Sequence, residues 1–378
     1  MITKINKFRI ASLFAGLVLF LSILMQCLFP LTKASAETVD ISGIAGLQLQ
    51  LDAQSISGIS DGGKIARVTN TAASPTLDGV GNAVQDDASR QPTYIAESSL
   101  NGKPAIRMNA QSFMQVGANT GFYLNDMTIF MVANFDAIPS SGNYDVFSRL
   151  NNNSPWNHNW YFNLENGGFN YGWFTGNYHA QNRTVISKDT TYVLGARKSG
   201  TNGALYVNGV SAATFTGSGP QDDLNVPVYL GGTGGISAAG DIGEILVFDR
   251  GLTDEEVVLV EQYLEAKWGM EGIHAAQLSD LKVEGESVVG FRADKYSYSY
   301  LASKEITAED ITYTLWNEKD KATVTEKDGT FEIKVQSGDI IKTYKVETDY
   351  MRYDYNEIQQ LNANEVTLND GFWGDRYR

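Results

Sequence analysis

Residues 240–270 read GDIGEILVFDRGLTDEEVVLVEQYLEAKWGM and divide into strand, turn, helix and stop. Ile245, Leu246, Val247 and Phe248 form a short unbroken apolar run, as expected of a strand covered on both faces. Asp249-Arg250-Gly251 breaks the run. Thr253 stands three residues before Glu256, the spacing of a capping box, and Asp254, Glu255 and Glu256 suit the positive end of a helix. Val257, Val260, Leu264 and Trp268 then follow on one helical face, and Gly269 supplies the stop. One strand and one closing helix at the end of a strand-rich stretch mark the end of a large β-domain.

The strands before it are short and evenly spaced. Leu47, Leu49 and Leu51 alternate with Gln48, Gln50 and Asp52, which predicts a half-buried strand. Residues 55–90 are rich in Ser, Gly, Asp, Asn and Thr and read as loops with one or two short strands. Further strands are predicted at 93–96, 104–109, 112–117, 127–135, 144–150, 159–165, 168–174, 191–198, 203–208 and 227–231. Asn208-Gly209 is a hairpin signal, because both residues tolerate positive φ. Together these predict an all-β sandwich.

The wording G-D-I-x-E-I-L-V-F-D-R-x-L-T-D-E-E, then Y-L-x-x-K-W-G, resembles the end of bacterial laminin-G-like domains of the concanavalin A-like lectin/glucanase superfamily. RQPTYIAESSLNGKPAIRM (90–108), MTIFMVANF (127–135) and ALYVNGV (204–210) resemble other parts of that family, in the expected order. The resemblance spans roughly residues 44–270 and implies a jelly-roll sandwich with one C-terminal helix. From Leu278 to Asp349 the chain turns rich in Lys, Glu, Tyr and Thr, with six predicted strands and an Asp328-Gly329 hairpin. This second stretch resembles the cadherin-like or Ig-like β-sandwich modules appended to bacterial secreted enzymes. The predicted organisation is therefore a signal peptide over 1–36, the jelly roll over 37–272, the small sandwich over 277–349 and an incomplete segment over 350–378. In that last segment V-x-L-x-D-G-F-W-G-x-R resembles the opening of the catalytic domain of β-L-arabinofuranosidase-like glycoside hydrolases.

Lys4, Lys7 and Arg9, an apolar run from Ile10 to Phe29 and Ala34-Ser35-Ala36 read as an export signal with a cleavage site, although the apolar run is also long enough for an uncleaved anchor. Cys27, the sole cysteine of the chain, lies inside it, so the mature protein is expected to be secreted without disulfides. The net charge of the chain is −15, and its first 36 residues hold four bases and no acid. The remainder is thus strongly acidic, which argues against nucleic acid and anionic membrane surfaces as partners. A monomer is expected.

Catalysis finds little support. The β-glucan-cutting members of the superfamily carry E-x-D-x-x-E or E-x-D-x-E on one strand, and neither pattern occurs here; Glu244 has no acid two residues on, so it reads as structural. Gly231-Gly232-Thr233-Gly234-Gly235 lacks the Lys-Ser/Thr of a phosphate cradle and reads as a turn. No cofactor is expected, with calcium on Asp222, Asp223 and Asn225 as the one alternative, by analogy with laminin-G-like domains.

The richest stretch is 152–179, where aromatic rings alternate with asparagines. Sugars stack their apolar faces on such rings, while amides and imidazoles take their hydroxyls. The candidate carbohydrate-binding residues are Trp156, His158, Tyr161, Asn163, Tyr171, Trp173, Tyr178 and His179. Alternation puts Trp160, Phe162 and Leu164 on a core face and Tyr161, Asn163 and Glu165 on the other; it leaves open which face Tyr171 and Trp173 occupy. The expectation is a glycan-binding accessory region of a polysaccharide-degrading protein, not itself catalytic. The alternatives are the front of a longer glycoside hydrolase and a protein-binding adhesion module.

Overall fold

The computed structural model describes residues 39–350 apart from 119–121, 123, 152–156, 175–178, 218–226, 234, 271 and 294. The expected signal peptide and the segment 351–378 lie outside the described residues. The chain divides into two compact units between Ile273 and His274.

In chain order the first unit runs β1 (Leu47–Asp52), β2 (Arg67–Val68), β3 (Ala83–Val84), β4 (Thr93–Ile95), β5 (Ala105–Met108), β6 (Met114–Val116), β7 (Met127–Phe135) and β8 (Asn143–Asn151). It continues with β9 (Asn157–Glu165), β10 (Gly168–Phe174), β11 (His179–Val185), β12 (Thr191–Ser199), β13 (Asn202–Val207), β14 (Val210–Thr216), β15 (Val228–Leu230) and β16 (Gly240–Phe248). Helix α1 (Asp254–Trp268) closes it. The strands form two antiparallel sheets, β14-β13-β12-β7-β16-β5-β4 with β1 joined to β16, and β11-β10-β9-β8-β15-β6-β3-β2. This is the all-β sandwich with one C-terminal helix. Strands β11 and β14 add to the expected set. The second follows from the Asn208-Gly209 turn, where φ is 48° and 72°.

β7 and β16 are buried along their whole length because both faces of the first sheet are covered. One face meets the second sheet: Phe215 of β14 lies 4.8 Å from the Trp173 ring of β10. The other face receives α1. Its capping box is formed, with Thr253 N donating to Glu256 Oε2 at 2.9 Å and Glu256 N donating to Thr253 Oγ1 at 3.3 Å. Gly269 ends the helix in the left-handed region. Trp268 is fully buried, and a Cβ on Gly243 would stand 2.7 Å from its ring, so the sheet needs a glycine there. Its Nε1 donates to Glu244 Oε2 at 3.0 Å. Glu244 also accepts from Gln50, Tyr263 and Lys267, so this buried carboxylate ties strand to helix. Burial works against the Lys267 ammonium, yet Glu244 and Asp52 hold its pKa above the ordinary value.

The second unit holds β17 (Leu278–Val283), β18 (Glu286–Ser287), β19 (Ser297–Ala302), β20 (Ile311–Leu315), β21 (Lys321–Lys327), β22 (Thr330–Ser337) and β23 (Ile340–Tyr350). They make two sheets, β18-β17-β20 and β19-β23-β22-β21, in which β19 and β23 run parallel. Leu281, Val283, Ile333, Val335, Tyr344 and Val346 are among its core side chains.

Candidate functional site

The register of the 157–185 segment decides which side chains can serve a ligand. Asn166 and Gly167 connect β9 to β10 with φ of 46° and 86°, a two-residue turn that pairs Glu165 with Gly168. Phe162 then stands opposite Tyr171 and Trp160 opposite Trp173. Opposed residues share a face, so Tyr171 and Trp173 join the core face. Neither has exposed surface, and both pack on Phe215. The expectation that these two rings stack on a sugar is therefore corrected: they are sandwich core.

Tyr161 and Asn163 lie on the opposite, polar face, together with residues that sequence reasoning missed. Asp145 on β8 faces Asn163 on β9, which faces Asn170 on β10. Beside them Ser148 faces Tyr161, which faces Gly172. Trp156, Tyr178, Asp222, Asp223 and Asn225 lie outside the described residues. His158 and His179 belong to β9 and β11, but their side chains are outside the described set.

This polar face is short of partners. Both carboxylate oxygens of Asp145, Ser148 Oγ, both amide atoms of Asn163 and Asn170 Oδ1 are buried without a hydrogen-bond partner among the described residues. At the margin some bonds are made. Tyr161 Oη donates to Gln181 Oε1 at 2.5 Å, and Asn170 Nδ2 donates to Glu165 Oε2 at 2.9 Å. An unsatisfied buried polar group costs about 1–3 kcal/mol, so a cluster of them calls for ordered water or a ligand. Burial pushes the Asp145 carboxyl up to about 7 and the Tyr161 phenol above its ordinary value.

Asp145 reaches this face through a β-bulge. Between Asp145 and Phe147 the pairing slips by one residue, so Phe147 meets Phe162 in the core while Asp145 meets Asn163 outside it. The glycine-rich loop read as a turn closes over Asp145. A Cβ on Gly232 would stand 2.9 Å from Asp145 Oδ2. Ser237 Oγ accepts from Gly232 N at 2.8 Å and donates to the Ser112 carbonyl at 2.5 Å, which pins the loop. The arrangement offers an acceptor-only carboxylate when ionised, two amides and two hydroxyls, the groups that exchange hydrogen bonds with sugar hydroxyls.

Residues 109–258 match the laminin G family described as the concanavalin A-like lectin/glucanases superfamily. No curated protein matches the sequence. Domain 4 of AbnA, a GH43 extracellular arabinanase from Geobacillus stearothermophilus solved with arabinotriose, is 15% identical over 56% of this chain and 96% of its own, with a TM-score of 0.41. The binding domain of Paraclostridial Mosquitocidal Protein 1 is 13% identical over 77% of this chain and 75% of its own, with a TM-score of 0.42. A Trypanosoma rangeli sialidase is 10% identical over 59% of this chain, which spans only 33% of the sialidase, with a TM-score of 0.39.

Proposed function

We propose that this concanavalin A-like domain binds glycan on the polar face of β8, β9 and β10, as the non-catalytic accessory part of a secreted polysaccharide-degrading protein. The observation that carries the reading is the row Asp145–Asn163–Asn170, buried and with hydrogen-bonding capacity unmet. Secretion rests on the basic, apolar and small-residue pattern of residues 1–36. The non-catalytic reading rests on how the carboxylates of β16 are used. Glu244 is saturated by its partners, and Asp241 is held by Arg107 and by Ser99. Neither is left to protonate or attack a substrate.

A polar site with few exposed rings buries little apolar area, so binding should be weak, with Kd of about 10 μM to 1 mM. Affinity electrophoresis of the full chain against plant and bacterial polysaccharides tests this, run beside Asn163→Ala. Retardation by at least one glycan, reduced about tenfold or more in a variant with an unimpaired melting temperature, is the expected result. Retardation that survives Asn163→Ala and Asn170→Ala in folded protein removes this face from the site.

A further inference from the structure

We propose that the polar face selects uncharged sugars and excludes acidic ones, and that Asp145 sets this choice; the inference rests on that face being the glycan site. Asp145 sits at the head of the row with Asn163 and Asn170, and both its oxygens are buried without a donor among the described residues. An ionised carboxylate accepts hydrogen bonds and donates none. It therefore favours a ligand that brings hydroxyls, and two hydroxyls on neighbouring ring carbons match its two oxygens.

The charges around it point the same way. Among the described side chains on this face, Glu165 is a second acid, bonded to Asn170. The basic ones are Arg183 on β11 and Arg67 on β2, both exposed and both on edge strands, and Arg90, which is paired with Asp87 and stands over the Phe113 ring that packs on Tyr229. At the usual strand spacing these edges are about 14 Å and 19 Å from β8. Tyr161 and Tyr229 are the other titratable groups there, and burial holds both phenols neutral. The loop 231–237 brings no charge. A ligand carboxylate seated on Asn163 would thus meet Asp145 in a buried setting with no cation between them among the described residues. Because burial also raises the Asp145 pKa to about 7, acidification removes the repelling charge.

The test uses the full chain and Asp145→Asn, each checked by melting curve, at pH of about 8 and about 5. Salt of about 0.3 M screens the long-range repulsion of an acidic protein. The probes are galactan, arabinan and β-glucan on the neutral side and polygalacturonate and polysialate on the acidic side, whose carboxylates stay ionised at both pH values. In the wild type at the higher pH, acidic probes should bind at least about tenfold more weakly than the best neutral one. That ratio should shrink at least about threefold at the lower pH and also in Asp145→Asn. Acidic probes binding the wild type as tightly as neutral ones overturns the inference, as does an unchanged ratio in folded Asp145→Asn. If the variant does not fold, the pH dependence of the wild-type ratio decides. Neutral binding with an unchanged ratio removes only the role of Asp145, whereas no binding to any probe removes the glycan site and this inference with it.

Discussion

Asp145 works against the fold that holds it. Burial raises its pKa to about 7, so the folded chain keeps a proton that the unfolded chain releases near the ordinary carboxylate range. The associated stability is present below that range and is lost as pH rises toward 7. Asp145→Asn should therefore be more stable than wild type by about 2–4 kcal/mol at pH of about 8, with the gap closed by about pH 4. Denaturant melts across pH measure this, and a variant less stable than wild type at the higher pH refutes it. Trp173→Ala should lose about 3–5 kcal/mol, as a core ring does, and equilibrium unfolding that shows under 1 kcal/mol would place the ring outside the core. The sequence marks these two residues unequally. The Asn166-Gly167 turn fixes the β9–β10 register, so the burial of Tyr171 and Trp173 was legible there and was missed. Asp145 was not legible: strict alternation groups it with Phe147, and only the bulge at Val146 separates them. Nothing local in a sequence signals a carboxylate that tertiary packing will bury.

At the scale of elements, the strand-to-helix stretch was the most readable part of the chain, since capping, periodicity and stop signals are all local. Thr253, Glu256, Gly269 and the buried face of Val257, Val260, Leu264 and Trp268 stand where those signals put them. The same face also buries Glu261 and Glu265, which no periodicity argument for apolar residues would include. Burial, reinforced by the like charge of Glu265, pushes the Glu261 pKa well above its ordinary value. Glu261→Gln should then raise the melting temperature at pH of about 8 and leave it unchanged near pH 4; equal melting temperatures at both pH values would count against a buried, protonated Glu261. Trp268→Ala removes a fully buried ring and the donor to Glu244, and should cost about 3–5 kcal/mol. A loss under 1 kcal/mol would show that α1 does not depend on that anchor. Strands β11 and β14 escaped prediction for a different reason. His179–Val185 and Val210–Thr216 are mostly polar or small, and they pair by backbone next to strands already in place.

Taken whole, the chain carries two separate cores, one in each unit. We expect residues 37–273 to fold alone and to melt as they do in the full chain, which should show two calorimetric transitions. A single transition, or an aggregated fragment, would contradict that division. The sandwich architecture was legible because strand spacing, turn residues and the closing helix agree with one another. The candidate site was half legible: the segment, Tyr161 and Asn163 were singled out by local composition, while their neighbours on β8 and β10 came only from register. The central claim is that glycan sits on the row of Asn163 and Asn170. It is tested most directly by NMR of the side-chain amides in the full, deuterated chain during titration with the polysaccharide fragment it binds best. The Asn163 and Asn170 amide resonances should move and saturate at the Kd found by electrophoresis. Binding that leaves both resonances in place while others move would contradict it.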